Sequence, residues 1–225
     1  PSIESPWRYQ RVNVEGTALL AHVLVEHGVR RLVFASSSSV YGHNRERPYR
    51  ESDRVDAPAS PYGASKRAGE LVLHSLHRVH GLGVSCLRYF TVYGPRQRPE
   101  MAIHSFCRAI EDGRAITLFG DGQTSRDYTY VDDVVAGTVA AIDRADEQFR
   151  IYNLGNRSPV RLGELVDKIA EALGKEPIIE RLPEQPGDVE HTLACIEAAE
   201  RDLGYQPQTS IDEGLRRFVD WMRAS

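Results

Sequence analysis

Apolar and polar positions follow two rhythms in the first part of the chain. Val12, Leu19, Leu20, Val23 and Leu24 recur at helical spacing, which predicts a helix from Val12 to His27, with Gly28 in the place where a left-handed residue ends one. The short apolar run Arg30 to Ala35 predicts a strand whose carboxyl end leads straight into Ser36-Ser37-Ser38-Ser39. Gly42 to Ala59 is polar and rich in Pro, Arg and Asp, as a surface loop is. Pro61 opens a second helix lasting to about His80, in the first-turn position where a missing N–H costs nothing. Val84 to Tyr89 is the next strand. Short apolar strands alternating with helices mark a parallel sheet covered on both faces, an α/β doubly wound fold.

Beyond Gly94-Pro95 the rhythm changes. The pattern predicts a helix near 101–112, a strand at 116–119, a Gly-rich turn at 120–122, a helix over 132–144 and a strand at 151–154. Helices alternate with Pro- and Gly-rich turns after Leu162. This part reads as a smaller mixed α/β lobe. The expected division is 1–90 with 127–158 for the sheet domain, and 91–126 with 159–225 for the lobe.

Composition narrows the function. The 225 residues are 41% hydrophobic with a formal net charge of −4, and no basic face points to nucleic acid. No apolar run approaches the roughly 18–20 residues that cross a bilayer. The first residues carry no secretion signal, and three scattered cysteines without a CxxC pair fit reduced thiols, so the expected location is cytoplasmic. Cys86 and Cys107 read as core residues, and Trp7 and Trp221 as packing residues near the termini. Of the eight histidines, His77 and His80 lie one turn apart as a possible metal pair, but histidines on helix faces and in loops most often stand solvated, so no metal site is expected. Asp132-Asp133 reads as a helix start that complements the dipole.

Three segments carry chemistry in combination. In Tyr62-Gly63-Ala64-Ser65-Lys66 a phenol and an ammonium share one helix face. A tyrosine with a pKa near 10 is a poor base at neutral pH, and a neighbouring cation favours its phenolate. The serine run sits at a strand's carboxyl end, where ligands bind in open α/β sheets, and the helix from Pro61 can return Tyr62 there. Leu87 to Pro95, the end of the next strand, opens onto the same crevice.

With these residues the chain resembles the extended short-chain dehydrogenase/reductase family, the NAD-dependent epimerases and dehydratases of nucleotide sugars. Asn13-Val14-Glu15-Gly16-Thr17, FASSSSVYG at 34–42, SPYGASK at 60–66, LRYFTVYGPRQRP at 87–99, GDGQTSRDYTYVDDVV at 120–135, NLGN at 153–156 and PGDV at 186–189 follow that family's motifs in order. The resemblance implies NAD as cofactor and a UDP-sugar as substrate. It implies catalytic roles for Ser37, Tyr62 and Lys66: Ser37 bonds the sugar's 4-oxygen, Tyr62 is the acid/base, and Lys66 holds the nicotinamide ribose. Ser36, Tyr89 and Phe90 would also meet the cofactor. Ser38, Ser39, Thr91, Arg98, Thr117, Phe119, Arg126 and Asp188 would meet the substrate. Tyr62 takes the 4-hydroxyl proton while C4 gives hydride to NAD, the 4-keto sugar turns over, and hydride returns to its other face.

Dehydratases of the family carry an Asp-Glu pair where this chain has Ser38-Ser39, and decarboxylases carry Glu at the second position. Hydroxyls cannot do that proton work at neutral pH. The motifs look most like UDP-glucuronate 4-epimerases, with UDP-glucose and UDP-N-acetylhexosamines as alternatives. Gln185 stands where glucose epimerases have Arg, and Cys195 where many relatives have Asp. The Gly-rich turn for the pyrophosphate is absent, so about 80–100 residues of strand–helix units are expected before Pro1. That leaves a second class open: a remnant that only binds nucleotide sugar or oligomerises. The helices at 12–27 and 61–80 correspond to those that pair in family dimers, so a homodimer through them is expected.

Overall fold

The computed structural model describes residues 1–183 and 189–224. These form two units, Pro1–Phe90 with Val135–Leu154 and Ala194–Gln206, and Thr91–Val134 with Gly155–Leu193 and Pro207–Ser225.

The first unit is built on three parallel strands in the order β1-β2-β6: β1 (Arg31–Ser37), β2 (Gly83–Tyr89) and β6 (Phe149–Leu154). Their registers set Ser37 opposite Tyr89 and Tyr89 opposite Leu154, so the three carboxyl ends finish level. Successive side chains face opposite sides, and both sides are covered. Leu32, Phe34, Val84, Cys86, Phe149 and Ile151 pack under Ala21 and Val25 of α2 (Gly16–Glu26) and Leu73 and Leu76 of α3 (Pro61–His80). On the other side Val33, Leu87, Tyr89, Tyr152 and Leu154 pack with Ala140 and Ala141 of α5 (Val131–Asp143) and Ala199 and Leu203 of α7 (Glu197–Leu203). Double coverage explains why these strands read as continuous apolar runs rather than alternating ones. The α/β architecture with a parallel sheet stands as expected.

Several elements differ in detail. The first helix begins earlier, as α1 (Pro6–Gln10), and passes through a π-helical turn at Arg11–Glu15 before α2. Its only buried side chain is Ala21. Val12, Leu19 and Leu20 are 69%, 62% and 54% exposed, and Trp7, expected to pack, is 63% exposed. Periodicity marks an apolar stripe on a helix but does not say what covers it. The loop after Gly42 is not wholly superficial either, since Tyr49 and Val55 are buried.

The second unit centres on β3 (Thr91–Tyr93) parallel to β5 (Ser125–Tyr130), which runs antiparallel to β7 (Pro159–Arg161). A separate parallel pair joins β4 (Ile116–Phe119) to β8 (Ile179–Leu182). Its core draws Ile103, Cys107 and Ile110 from α4 (Ala102–Glu111), Leu165 and Ile169 from α6 (Leu162–Leu173), and Leu215 and Phe218 from α8 (Ile211–Ala224). Gly214 lets α8 close onto the Tyr93 ring, where any Cβ would strike the phenol oxygen. Residues 127–134 fall in this unit because β5 pairs with β3 and β7. Residues 194–206 fall in the first unit because α7 packs beside β6. Cys86, Cys107 and Cys195 are all buried free thiols. Asp133 does more than complement a dipole: its carboxylate accepts from the Gln208 and Thr209 amides at 3.0 Å each. No helix among the described residues is long and apolar enough to cross a membrane.

Candidate functional site

In the first unit the level strand ends and the start of α3 come together. β1 runs into a 3-10 turn, Ser38–Tyr41, capped by Ser37, whose hydroxyl accepts from the Ser39 amide and donates to the Ser39 hydroxyl, both at 3.2 Å. α3 starts with Ser60 capping the Gly63 amide at 3.1 Å and Pro61 in the first turn. Gly63 lies so close to this 3-10 turn that an added Cβ would strike the Ser39 carbonyl oxygen. Tyr62 is therefore held beside the serine run. Lys66, one turn on, donates from Nζ to the Ala35 carbonyl at 2.9 Å. Its ammonium lies 5.9 Å from the centre of the Tyr62 ring and 5.4 Å from that of Phe34. Burial holds the Lys66 pKa below its ordinary value.

Behind these groups lies a polar network that the sequence did not single out. Glu70 is wholly buried, and Arg88 grips it with two parallel bonds, Nε to Oε1 at 3.0 Å and Nη2 to Oε2 at 2.9 Å. Ser36 donates to Glu70 at 2.6 Å and Arg67 at 2.9 Å. The Ser36 hydroxyl, expected near the cofactor, is thus turned inward. Burial raises the Glu70 pKa, but the bonds and charge of Arg88, with Ser36 and Arg67, outweigh it and hold the carboxyl below its ordinary range. Asn13 and Tyr9 are two further neighbours. Asn13 donates to the Ser65 hydroxyl at 3.0 Å, which donates to the Tyr62 carbonyl at 2.8 Å. The Tyr9 ring meets the Tyr62 ring edge-on at 6.0 Å. At the end of β2 the Tyr89 hydroxyl bonds Thr138, and the Phe90 amide donates to the Leu154 carbonyl at 3.1 Å.

The second unit holds a cavity of about 320 Å³ lined by Thr91, Thr117, Phe119 and Arg126 among the expected residues, and by Gln97, Glu100, Met101 and Tyr128 besides. Arg126 is steered by bonds to the Ser125 and Glu190 carbonyls at 3.1 and 3.2 Å. Gln97 donates to the Val92 carbonyl, and its buried Oε1 has no hydrogen-bond partner among the described residues. Arg98 is not in the lining; it is exposed and pairs with Glu100 at 3.3 Å. Asp188 and Gln185 lie outside the described residues.

Residues 1–155 match the NAD dependent epimerase/dehydratase family. The chain belongs to that family. It is 39% identical to the UDP-glucuronate 4-epimerase of Thermodesulfobacterium geofontis, across 99% of this chain and 68% of that protein. It superposes on MoeE5 in complex with UDP-glucuronic acid and NAD with a TM-score of 0.95 and 37% identity, covering 100% of this chain and 75% of that one. A UDP-N-acetylglucosamine 4-epimerase from Methanobrevibacter ruminantium, in complex with UDP-N-acetylmuramic acid, gives a TM-score of 0.93 at 31% identity, covering 99% of this chain and 72% of that one.

NAD is the cofactor of this epimerase/dehydratase family, and the residues present fit its nicotinamide end. A half-buried ammonium, a phenol and a serine hydroxyl stand at the level ends of parallel strands, where such ligands bind. Lys66 uses one of its three protons on Ala35, and an ammonium has two more to donate.

Proposed function

We propose that the chain carries the acid/base machinery and the nucleotide pocket of an NAD-dependent UDP-sugar 4-epimerase, with UDP-glucuronate as its substrate. The observation that carries the reading is the bond from Lys66 to Ala35, which ties the ammonium beneath Tyr62 to the strand that ends in Ser37. The reading assigns acid/base chemistry to the first unit and nucleotide recognition to the second.

Bound NAD supplies a hydride acceptor and donor for the sugar's C4. Ser37 swings its proton from the Ser39 hydroxyl to the sugar's 4-oxygen and holds that oxygen as it becomes a carbonyl. Tyr62 removes the 4-hydroxyl proton as phenolate and returns it when the carbonyl is reduced from the opposite face. Lys66 stabilises that phenolate by charge and orients the cofactor ribose. Arg126 offers a guanidinium fork for diphosphate, and Phe119 an aromatic face for the base.

The absence of any carboxylate at Ser38 and Ser39 supports epimerisation over elimination or decarboxylation. Hydroxyl donors there suit a sugar carboxylate that is bound and retained. A panel of UDP-glucuronate, UDP-glucose and UDP-N-acetylglucosamine, each followed to equilibrium with added NAD, tests the choice. The reading expects the highest kcat/KM for the uronate, and a preference for either neutral sugar overturns that part of it.

The exposed apolar residues of α2, with Leu71 and Val79 of α3 at 53% and 73% exposure, support a homodimer through these two helices.

A further inference from the structure

We infer that the buried Glu70–Arg88 pair is a positioning device that fixes Ser37, Tyr62 and Lys66 relative to one another without touching substrate. The activity part of its test rests on the epimerase reading above. Both side chains are sealed off, with Glu70 0% and Arg88 1% exposed, so neither can meet a ligand directly. Each partner of the pair, however, adjoins a residue of the proposed site. Ser36, which donates to Glu70, immediately precedes Ser37. Glu70 itself lies one helical turn beyond Lys66 and two beyond Tyr62 on α3. Arg88 precedes Tyr89 and Phe90, and its Nη1 donates to the Tyr41 hydroxyl at 3.0 Å, at the far end of the turn that presents Ser38 and Ser39. The Tyr41 hydroxyl in turn donates to Asn153 Oδ1 at 2.8 Å, which secures β6 as well.

Stability alone does not account for an ion pair here, because well-packed apolar residues of similar volume hold a core as well or better. What a two-bonded guanidinium–carboxylate adds is a fixed distance and angle. Four elements are locked to one point: β1 through Ser36, α3 through Glu70 and Arg67, β2 through Arg88, and the serine turn through Tyr41. Reacting groups need that precision, since a misplacement of about 1 Å can cost roughly 100-fold in rate.

The test compares the full chain with the double variant Glu70→Leu/Arg88→Met and the single variant Glu70→Gln, which keeps the volume and removes the charge. Both are assayed with NAD and UDP-glucuronate and followed by hydrogen exchange. The expected result is a folded protein whose kcat falls at least about 30-fold while KM changes less than about threefold. Amides of residues 36–41 exchange at least about tenfold faster, with those of the second unit unchanged. A folded variant that keeps kcat within about threefold overturns the inference. If the unaltered chain turns over none of the UDP-sugars, the epimerase reading fails instead. Exchange at 36–41 then decides the positioning role alone, and unchanged exchange there in Glu70→Gln overturns it.

Discussion

Lys66 Nζ donates to the Ala35 carbonyl at 2.9 Å, so a helix side chain is fastened to the strand two residues before Ser37. That bond fixes where the ammonium sits relative to Tyr62, and it does so with main chain, which no neighbouring substitution removes. Burial of the ammonium has a cost that shows as a lowered pKa.

The lowered Lys66 pKa gives a pH prediction with a definite sign. The ammonium is lost below the ordinary value of 10.5, so kcat declines on the alkaline side before that pH. In Lys66→Arg, where the charge persists, the alkaline limb moves to higher pH, and a pH–rate profile reads the shift. Between the lowered value and 10.5 the unfolded chain binds more protons than the folded one. This group's contribution to stability therefore rises with pH across that window, and Lys66→Met removes the slope.

Gly63→Ala places a methyl against the Ser39 carbonyl, and neither main chain can yield cheaply. The variant is destabilised by about 1–3 kcal/mol, as overpacked sites are, and loses activity beyond that, because α3 must retreat from the serine turn. Denaturant unfolding and kcat on the folded fraction check the two effects separately.

Much of this site is legible in the sequence because its parts are local. The serine run follows an apolar strand, Tyr62 and Lys66 share a face by spacing, and Pro61 and Ser60 announce the helix. Glu70 and Arg88 were not legible. A glutamate four residues after a lysine looks like one member of a solvated helix pair, and only the parallel register of β1 and β2 brings Arg88 under it. The reverse holds for Leu19 and Leu20, whose apolar spacing is plain while their exposure depends on what lies outside the helix. The Gln97 carbonyl oxygen belongs with the unread features, since a buried acceptor without a donor among the described residues has no signature in sequence.

Glu111 joins α4 to Lys175 at 3.0 Å and to Arg223 of α8 at 3.1 Å. Bonds from Arg223 and Lys175 pull its pKa down to about 2. A depressed carboxyl contributes stability that is complete above its ordinary value of 4.5 and is lost as pH falls toward 2. Thermal unfolding from pH 5 to pH 2, about the span over which linked carboxylates titrate, is expected to fall less steeply in Glu111→Gln.

Leu19→Glu/Leu20→Glu puts two charges on the exposed stripe of α2. Light scattering is expected to give a dimer for the unaltered chain and a monomer for the variant, with the melting temperature shifted by no more than about 3 °C at matched monomer content. A monomer in both removes the dimer from the account.

The most direct measurement is proton NMR of UDP-glucuronate incubated with NAD and either the unaltered chain or Tyr62→Phe. The account predicts that the C4 epimer accumulates to equilibrium with the unaltered chain, and about 100- to 10,000-fold more slowly with Tyr62→Phe. No epimer from the unaltered chain, or equal rates for the two proteins, would contradict it.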